Sequence, residues 1–277
     1  MFKILCLFLF IFSSLQSYEH KLAICTIFRD DAKYLPEWIE FHEKQGVGKF
    51  YLYNNLSSDN YQEILEPYIK SGLVVLIDWQ IEQHSLGEWN SIQCSAYNNC
   101  IEKIRNKVKW CAFIDTDEFL FCTNHIKLTE YLKDFEKFSG VGVNWVMYGT
   151  SNVEKIQKNE KLLDLLVFRA HDNFGPNIHI KSIVKVKNVE SCINPHCFIY
   201  RNNGYAVSEN KERINGAFSP SISFNKIRIN HYWSRDLDFF YNVKLARRLQ
   251  WGCDVESQID SEKEMNDIYD PILSPRH

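Results

Sequence analysis

Residues 110–121 read WCAFIDTDEFLF. Four apolar residues, Cys111, Ala112, Phe113 and Ile114, run into three carboxylates, Asp115, Asp117 and Glu118. A short apolar run bounded in this way predicts a strand buried on both faces. Open α/β sheets place their ligands beyond the carboxyl ends of the strands, where this acidic cluster would sit. Asp115 and Asp117 are two positions apart and share a face if the strand continues. Two hard oxygen ligands so spaced suit Mg2+ or Mn2+, which take few protein carboxylates and bridge to phosphates. The same residues also fit a strand end followed by a solvated acidic turn, so the flanking sequence has to decide.

Upstream, residues 21–28 (KLAICTIF) predict another buried strand, closed by Arg29-Asp30-Asp31. A helix is expected over 34–45, with Leu35, Trp38, Ile39 and Phe41 on one side and Gly46 and Gly48 ending it. Strand 49–53 closes on Asn54-Asn55, helix 61–70 follows, then strand 73–77 and helix 88–105. This alternation predicts a mostly parallel, doubly wound sheet with right-handed crossovers. The polar clusters at 29–31, 54–59 and 115–118 then line one edge of one sheet, which favours a binding site over a solvated turn. Downstream, strands are expected over 141–147, 165–170, 178–186 and 226–230, and a helix over 237–251. No internal repeat or long low-complexity linker interrupts the chain.

The 277 residues are 45% hydrophobic and 14% aromatic, enough for one large core. Thirty-two basic residues against 35 acidic ones give a net charge of −3 and no electrostatic case for nucleic-acid binding. Lys3, the apolar run 4–12 and the small residues after it form a signal-peptide pattern. The run is short of the ~20 residues a membrane span needs, though an uncleaved anchor has the same pattern. Of nine cysteines, eight follow the leader. Cys25 and Cys111 read as core thiols, and Cys192 and Cys197 are the expected disulfide pair. No zinc-like Cys/His spacing occurs.

Four blocks carry a resemblance. Residues 24–59 (ICTIFRDDAKYLPEWIEFHEKQGVGKFYLYNNLSSD), 110–121, 144–152 (NWVMYGTSN) and 229–248 (INHYWSRDLDFFYNVKLARR) stand in order along the chain. Together they resemble glycosyltransferase family 92, which is related to the GT-A family 2 enzymes. Two departures occur: the first block commonly has Arg-Asn-Glu, here Arg29-Asp30-Asp31, and the third commonly has Ser-Gly, here Ser151-Asn152. The resemblance implies an α/β fold of GT-A type, with a mostly parallel central sheet flanked by helices. It implies inverting transfer of a sugar from a UDP- or GDP-linked donor to a glycan, glycoprotein or glycolipid hydroxyl, with Mn2+ or Mg2+. The expected organisation is a leader or short anchor over 1–18, one catalytic domain over 19–253 and a loosely ordered tail over 254–277.

Roles follow as expectations. Asp117 is the stronger metal ligand, Asp115 meets metal, ribose or water, and His231 completes the metal site or is a core histidine. Glu118 either supports the site from behind or faces solvent. Arg29 would pair with the donor base or phosphate through its planar fork. Asp30, Asn55 and Asp59 would bond base or ribose, although Asn and Ser also favour turns for their own sake. Asn55-Leu56-Ser57 is also a glycosylation sequon, unavailable if it lines the donor pocket. Gln93, Tyr97 and Asn98 share a helix face that would run beside the donor, or is only half-buried structure. Asp172, with Glu154 behind it, is the candidate general base. Lys244, Arg247 and Arg248 could meet diphosphate, but a solvated helix face explains them better. Rival readings are a non-catalytic carbohydrate-binding relative and a metal-dependent phosphohydrolase. An exported nucleotide-sugar enzyme fits the Golgi or endoplasmic reticulum lumen, or an anchored bacterial protein.

Overall fold

The computed structural model describes residues 17–274. The leader expected over 1–18 lies outside them but for its last two residues. The first half alternates as expected: β1 (His20–Phe28), α1 (Leu35–Lys44), β2 (Phe50–Asn54), α2 (Tyr61–Lys70), β3 (Val74–Asp78), α3 (Leu86–Ile104) and β4 (Val108–Phe113). The chain then reverses through the acidic turn into β5 (Glu118–Cys122), and short α4 (Leu128–Tyr131) leads to β6 (Gly140–Met147). After α5 (Leu162–Leu165) and β7 (Phe168–Arg169) come β8 (Ile180–Lys185), the hairpin β9 (Val189–Asn194) and β10 (Cys197–Tyr200), then β11 (Ala206–Val207), β12 (Arg213–Ile214) and β13 (Ile227–His231). A continuous helical run of α6 (Leu237–Phe239), a π-helix (Phe240–Leu245) and α7 (Ala246–Gln250) follows, then α8 (Val255–Glu264) and β14 (Ile268–Tyr269).

The main sheet runs β12-β11-β6-β8-β4-β1-β2-β3. Strands β3, β2, β1 and β4 are mutually parallel, β8 is antiparallel between β4 and β6, and β13 lies parallel to β6. This is the expected α/β architecture, a mostly parallel sheet with helices on both faces. Along β1, Leu22 and Ile24 pack with Leu35, Trp38 and Ile39 of α1, while Ala23, Cys25 and Ile27 pack with Ile92, Ala96 and Ile101 of α3. Successive side chains point to opposite faces and both faces are covered, hence the unbroken apolar run.

Strand β5 escaped sequence analysis, and it matters most for the site. It pairs antiparallel with β13 in a register that sets His231 opposite Glu118, and the Tyr232 amide donates to the Asp117 carbonyl at 2.8 Å. Helix α1 fixes β5 from behind: Trp38 Nε1 donates to the Glu118 carbonyl at 2.8 Å, and His42 Nε2 accepts the Leu120 amide at 3.0 Å.

Two further expectations differ from the structure. The segment from Asp254 is folded rather than loose. Glu262 accepts the Thr150 amide at 2.9 Å, Asn266 the Ser151 amide at 2.7 Å, and Asp270 pairs with Arg169 and Arg228. Two of its acidic residues, Glu262 and Asp270, are spent on a buried amide and on guanidinium groups. Cys192 and Cys197 are both free, because the hairpin register sets Cys192 opposite Phe198 and Cys197 opposite Asn194. Among the described residues no helix is long and apolar enough to cross a membrane.

Candidate active site

The acidic turn opens into a cavity of about 450 Å3 at the carboxyl edge of the sheet. Arg29 and Asp31 reach it from the end of β1, Trp89, Asn90 and Gln93 from α3, and Asp115, Thr116 and Asp117 from the turn after β4. Trp145 and Met147 of β6, Lys181 of β8 and His196 of the β9–β10 turn form the opposite wall, with His179 beside them. His231, Trp233, Arg235, Lys244, Arg247, Arg248 and Trp251 complete the lining, and Ser261 and Met265 close it from the C-terminal segment. Six basic side chains (Arg29, Lys181, Arg235, Lys244, Arg247, Arg248) face three carboxylates (Asp31, Asp115, Asp117). The excess of positive charge in a recessed site suits a polyanion.

Each carboxylate is held. Gln93 Nε2 donates to Asp115 Oδ1 at 2.6 Å, and Lys181 Nζ to Oδ2 at 2.8 Å. Lys244 Nζ lies 3.1 Å from Asp117 Oδ2, and His231 Nε2 lies 3.5 Å from Oδ1. Asp31 accepts from Arg235 at 2.6 Å and from the Thr116 hydroxyl at 2.7 Å. The Arg235 guanidinium is buried between the rings of Tyr34 and Phe239, at 4.1 and 4.4 Å. Burial pushes the Asp117 carboxyl up, but Lys244, His231 and Arg235 outweigh it and hold it well below the usual carboxylate range. Glu118, fully buried, goes the other way: burial raises it well above that range, Asp115 and Asp117 add to the rise, and Lys181 opposes it. Burial lowers the Lys244 ammonium, with Asp117 opposing.

A second cavity of about 480 Å3 adjoins the first and shares Arg29, Arg247 and Trp251 with it. Asp30, Leu56, Gln83 and Asn242 line the rest of it.

Residues 19–228 match the family model Glycosyltransferase family 92. The chain belongs to that family. It is 29% identical over 123 residues to a glycosyltransferase family 92 protein of Oryza sativa subsp. japonica, covering 44% of this chain and 20% of that one. It is 30% identical over 110 residues to the beta-1,4-galactosyltransferase galt-1 of Caenorhabditis elegans, covering 38% of this chain and 26% of that one. The chain thus spans about a fifth to a quarter of the length of these relatives. Among solved structures it is similar to S. aureus TarS 1-349, at 13% identity and a TM-score of 0.40, covering 88% of this chain and 70% of that one.

In this family 92 member the structure brings Arg29, Gln93, Asp115, Asp117 and His231 to one cavity, and Asp30 to the adjoining one. Four expected site residues lie elsewhere. The Asn55 amide is spent on the Trp79 and Ile81 carbonyls, at 2.9 and 2.8 Å, and its burial also keeps the sequon out of reach. Asp59 accepts the Ala32 amide at 2.8 Å, fixing the turn after β1. Asn98 clamps Cys192, accepting from its amide at 2.7 Å and donating to its carbonyl at 3.0 Å. Asp172 is exposed and pairs with Arg169 at 2.7 Å, off the cavity wall. Glu154 does not line the cavity either.

Conversely, Lys244, Arg247 and Arg248 are cavity residues and not a solvated face. The π-helix, which contains Lys244 and precedes Arg247 and Arg248, widens one turn and shifts the phase that a 3.6-residue period assumes. Arg235 and Lys181 were missed altogether, and Asp31 stood only within the 29–31 cluster with no role of its own. Lys181 did carry a signal: a lysine inside an apolar strand is rarely buried unless paired. Asp31 carried only its place in the cluster: the backbone at Asp30 turns through a positive φ of 57°, and the sequence does not show which of the two carboxylates enters the main cavity.

A divalent cation is what the resemblance implies. Among the described residues no group of three or more His, Cys, Asp and Glu is arranged to hold a metal ion. Asp117 and His231 make a two-residue set, and Mg2+ and Mn2+ sites are often completed by substrate phosphates and water. Behind them, the buried His231 Nδ1 and Glu118 Oε1 are 3.9 Å apart and neither has a hydrogen-bond partner. A carboxylate behind the far ring nitrogen is the usual support for a metal-bound histidine. These residues fit the cation. Asp115, with both oxygens engaged, is less free to bind it.

Proposed function

We propose that this protein transfers a sugar from a nucleotide diphosphate sugar to a glycan hydroxyl, with inversion, and that a divalent cation bound through Asp117 and His231 assists. The observation that carries the reading is the recessed acidic turn facing six basic side chains, at the sheet edge where open α/β folds bind ligands. The cation would stabilise charge on the departing diphosphate. Arg247 and Arg248, which make no ion pair with a carboxylate among the described residues, supply further positive charge to the diphosphate. Trp145, Phe174 and Trp233 offer flat apolar faces to sugar rings.

The attacking hydroxyl must lose a proton. All three lining carboxylates are paired with cations, which leaves imidazoles as the uncommitted bases. His179 and His196 each hold Nδ1 against a backbone carbonyl, at 3.0 and 2.8 Å, so with Nδ1 protonated the Nε2 is a free acceptor. Burial drives His196 down to about 3, a weak base. His179, half-buried and stacked on Trp145 at 5.0 Å, is the better candidate. The leader pattern of residues 1–18 supports work in a secretory lumen or at a membrane.

The test is a nucleotide-sugar panel led by UDP-galactose, since the nematode relative is named a galactosyltransferase. Nucleotide release is read with and without Mn2+, and Asp117→Ala serves as control. Mn2+-dependent release from one donor, abolished in the variant, is expected. No release from any donor, together with no calorimetric binding of UDP or GDP, overturns the reading.

A further inference from the structure

Among the described residues eight cysteines are free, and their positions separate them into two sets with different prospects. Cys25, Cys100 and Cys111 are sealed between β1, α3 and β4, hydrogen-bonded to one another and out of reach of any oxidant. Cys94 is different: it sits on the same helix but is half-exposed. One turn further along α3, Asn98 grips both the amide and the carbonyl of Cys192 on β9. Positions i and i+4 lie on the same helix face, so Cys94 meets the same strand. Cys94 packs against the buried cluster that contains Cys192, and the two thiols are neighbours.

We propose that Cys94 and Cys192 are a disulfide site, closed by thiol–disulfide exchange with a small-molecule disulfide of the glutathione class. The Cys94 thiolate attacks one sulfur of the oxidised compound and displaces one glutathione thiolate. The Cys192 thiolate then attacks Cys94 Sγ in the mixed disulfide and displaces the glutathione held there. Two protein thiols and one glutathione disulfide become one protein disulfide and two glutathione thiols, which take up the two protons. Cys94 makes the first attack because it is the exposed partner. Hydrogen bonding from Cys192, with Lys181 nearby, also lowers its thiol from the ordinary range.

The bond would join the two walls of the cavity. Helix α3 brings Trp89, Asn90 and Gln93 to one side, and β9 leads into the turn that brings His196 to the other. The inference does not depend on the transferase reading, because it concerns the hold between two elements.

The full chain, reduced and then equilibrated with oxidised glutathione in excess, is alkylated and mapped by mass spectrometry without reduction. One cross-linked peptide pair joining Cys94 to Cys192 is expected. It should be absent in Cys94→Ser and retained in Cys253→Ser. Oxidation should also raise the melting temperature by about 5 °C or more. Full alkylation of both thiols under oxidant, a stable glutathione adduct at Cys94, or a bond from Cys94 to Cys197 each overturns the proposal. Mapping of the unsubstituted chain decides the matter even if the serine variant folds poorly.

Discussion

His179 and Asp172 are seven residues apart in sequence and differ in everything that a base requires. The carboxylate is the more familiar base, yet it is exposed and tied to Arg169. The imidazole lines the cavity with its Nδ1 spoken for by the Pro176 carbonyl. His179→Gln should lower kcat by roughly 10²- to 10⁴-fold, the usual contribution of a general base. Binding of UDP or GDP, measured by calorimetry, should be unchanged. A kcat within about threefold of the unsubstituted protein would place the base elsewhere. At this scale, legibility in the sequence was selective. Asp115, Asp117 and His231 could be read because a buried apolar strand advertises the polar residues at its end. Asp31, Lys181 and Arg235 could not be placed, because their roles arise from backbone turns and from partners 66 to 204 residues away.

At the scale of elements, α1 and β5 are joined by one neutral histidine. His42 is fully buried, donates through Nδ1 to the Trp38 carbonyl at 2.8 Å and accepts the Leu120 amide on Nε2. Burial drives its pKa from 6.5 down to about 3, with the Trp38 carbonyl opposing. Between those values the unfolded chain binds the proton and the folded chain does not. Stability therefore rises with pH, is complete above about 6.5 and is lost progressively as pH falls toward 3. The slope from this residue approaches ~1.4 kcal/mol per pH unit. Denaturant unfolding at pH 7 and pH 5 should show it. His42→Gln should cost about 1–3 kcal/mol at pH 7 through the orphaned Leu120 amide and flatten the slope by about one proton. An unchanged slope would assign acid sensitivity to other groups. The helix α1 was readable from its spacing, and so were the strands of the first half. Strand β5 was not, because its apolar residues follow carboxylates that look like the end of an element. The π-helix was invisible for a different reason, since no side-chain period announces an extra residue in a turn.

At the scale of the whole molecule, the C-terminal segment is part of the cavity. Met265 accepts the Gly149 amide at 2.9 Å, and Asn266 lies so close that a Cβ at Gly149 would come within 2.5 Å of its amide group. Asn266 cannot step aside, held by the Ser151 amide and by Glu262. Gly149→Ala should therefore cost about 1–3 kcal/mol as an overpacking change. At this chain length that amounts to a fall in melting temperature of roughly 2–10 °C. Asn266→Ala on the same background should be less than additive, because both changes act on one contact. Strict additivity would mean that the glycine matters for its backbone alone. Sequence analysis recognised the 144–152 block but not its reason. The residue that demands a glycine at 149 lies 117 positions further on, in a segment whose acidic composition suggests solvent.

Trp145 stacks on His179 and meets His231 at a tilt, with ring centres 4.5 Å apart. An indole so placed lies within quenching distance of any ion that His231 would hold. A paramagnetic ion such as Mn2+ in contact with that imidazole would extinguish its emission, while diamagnetic Mg2+ would leave it lit. If the proposed cation binds there, the share of emission owed to Trp145 would gauge which ion it is.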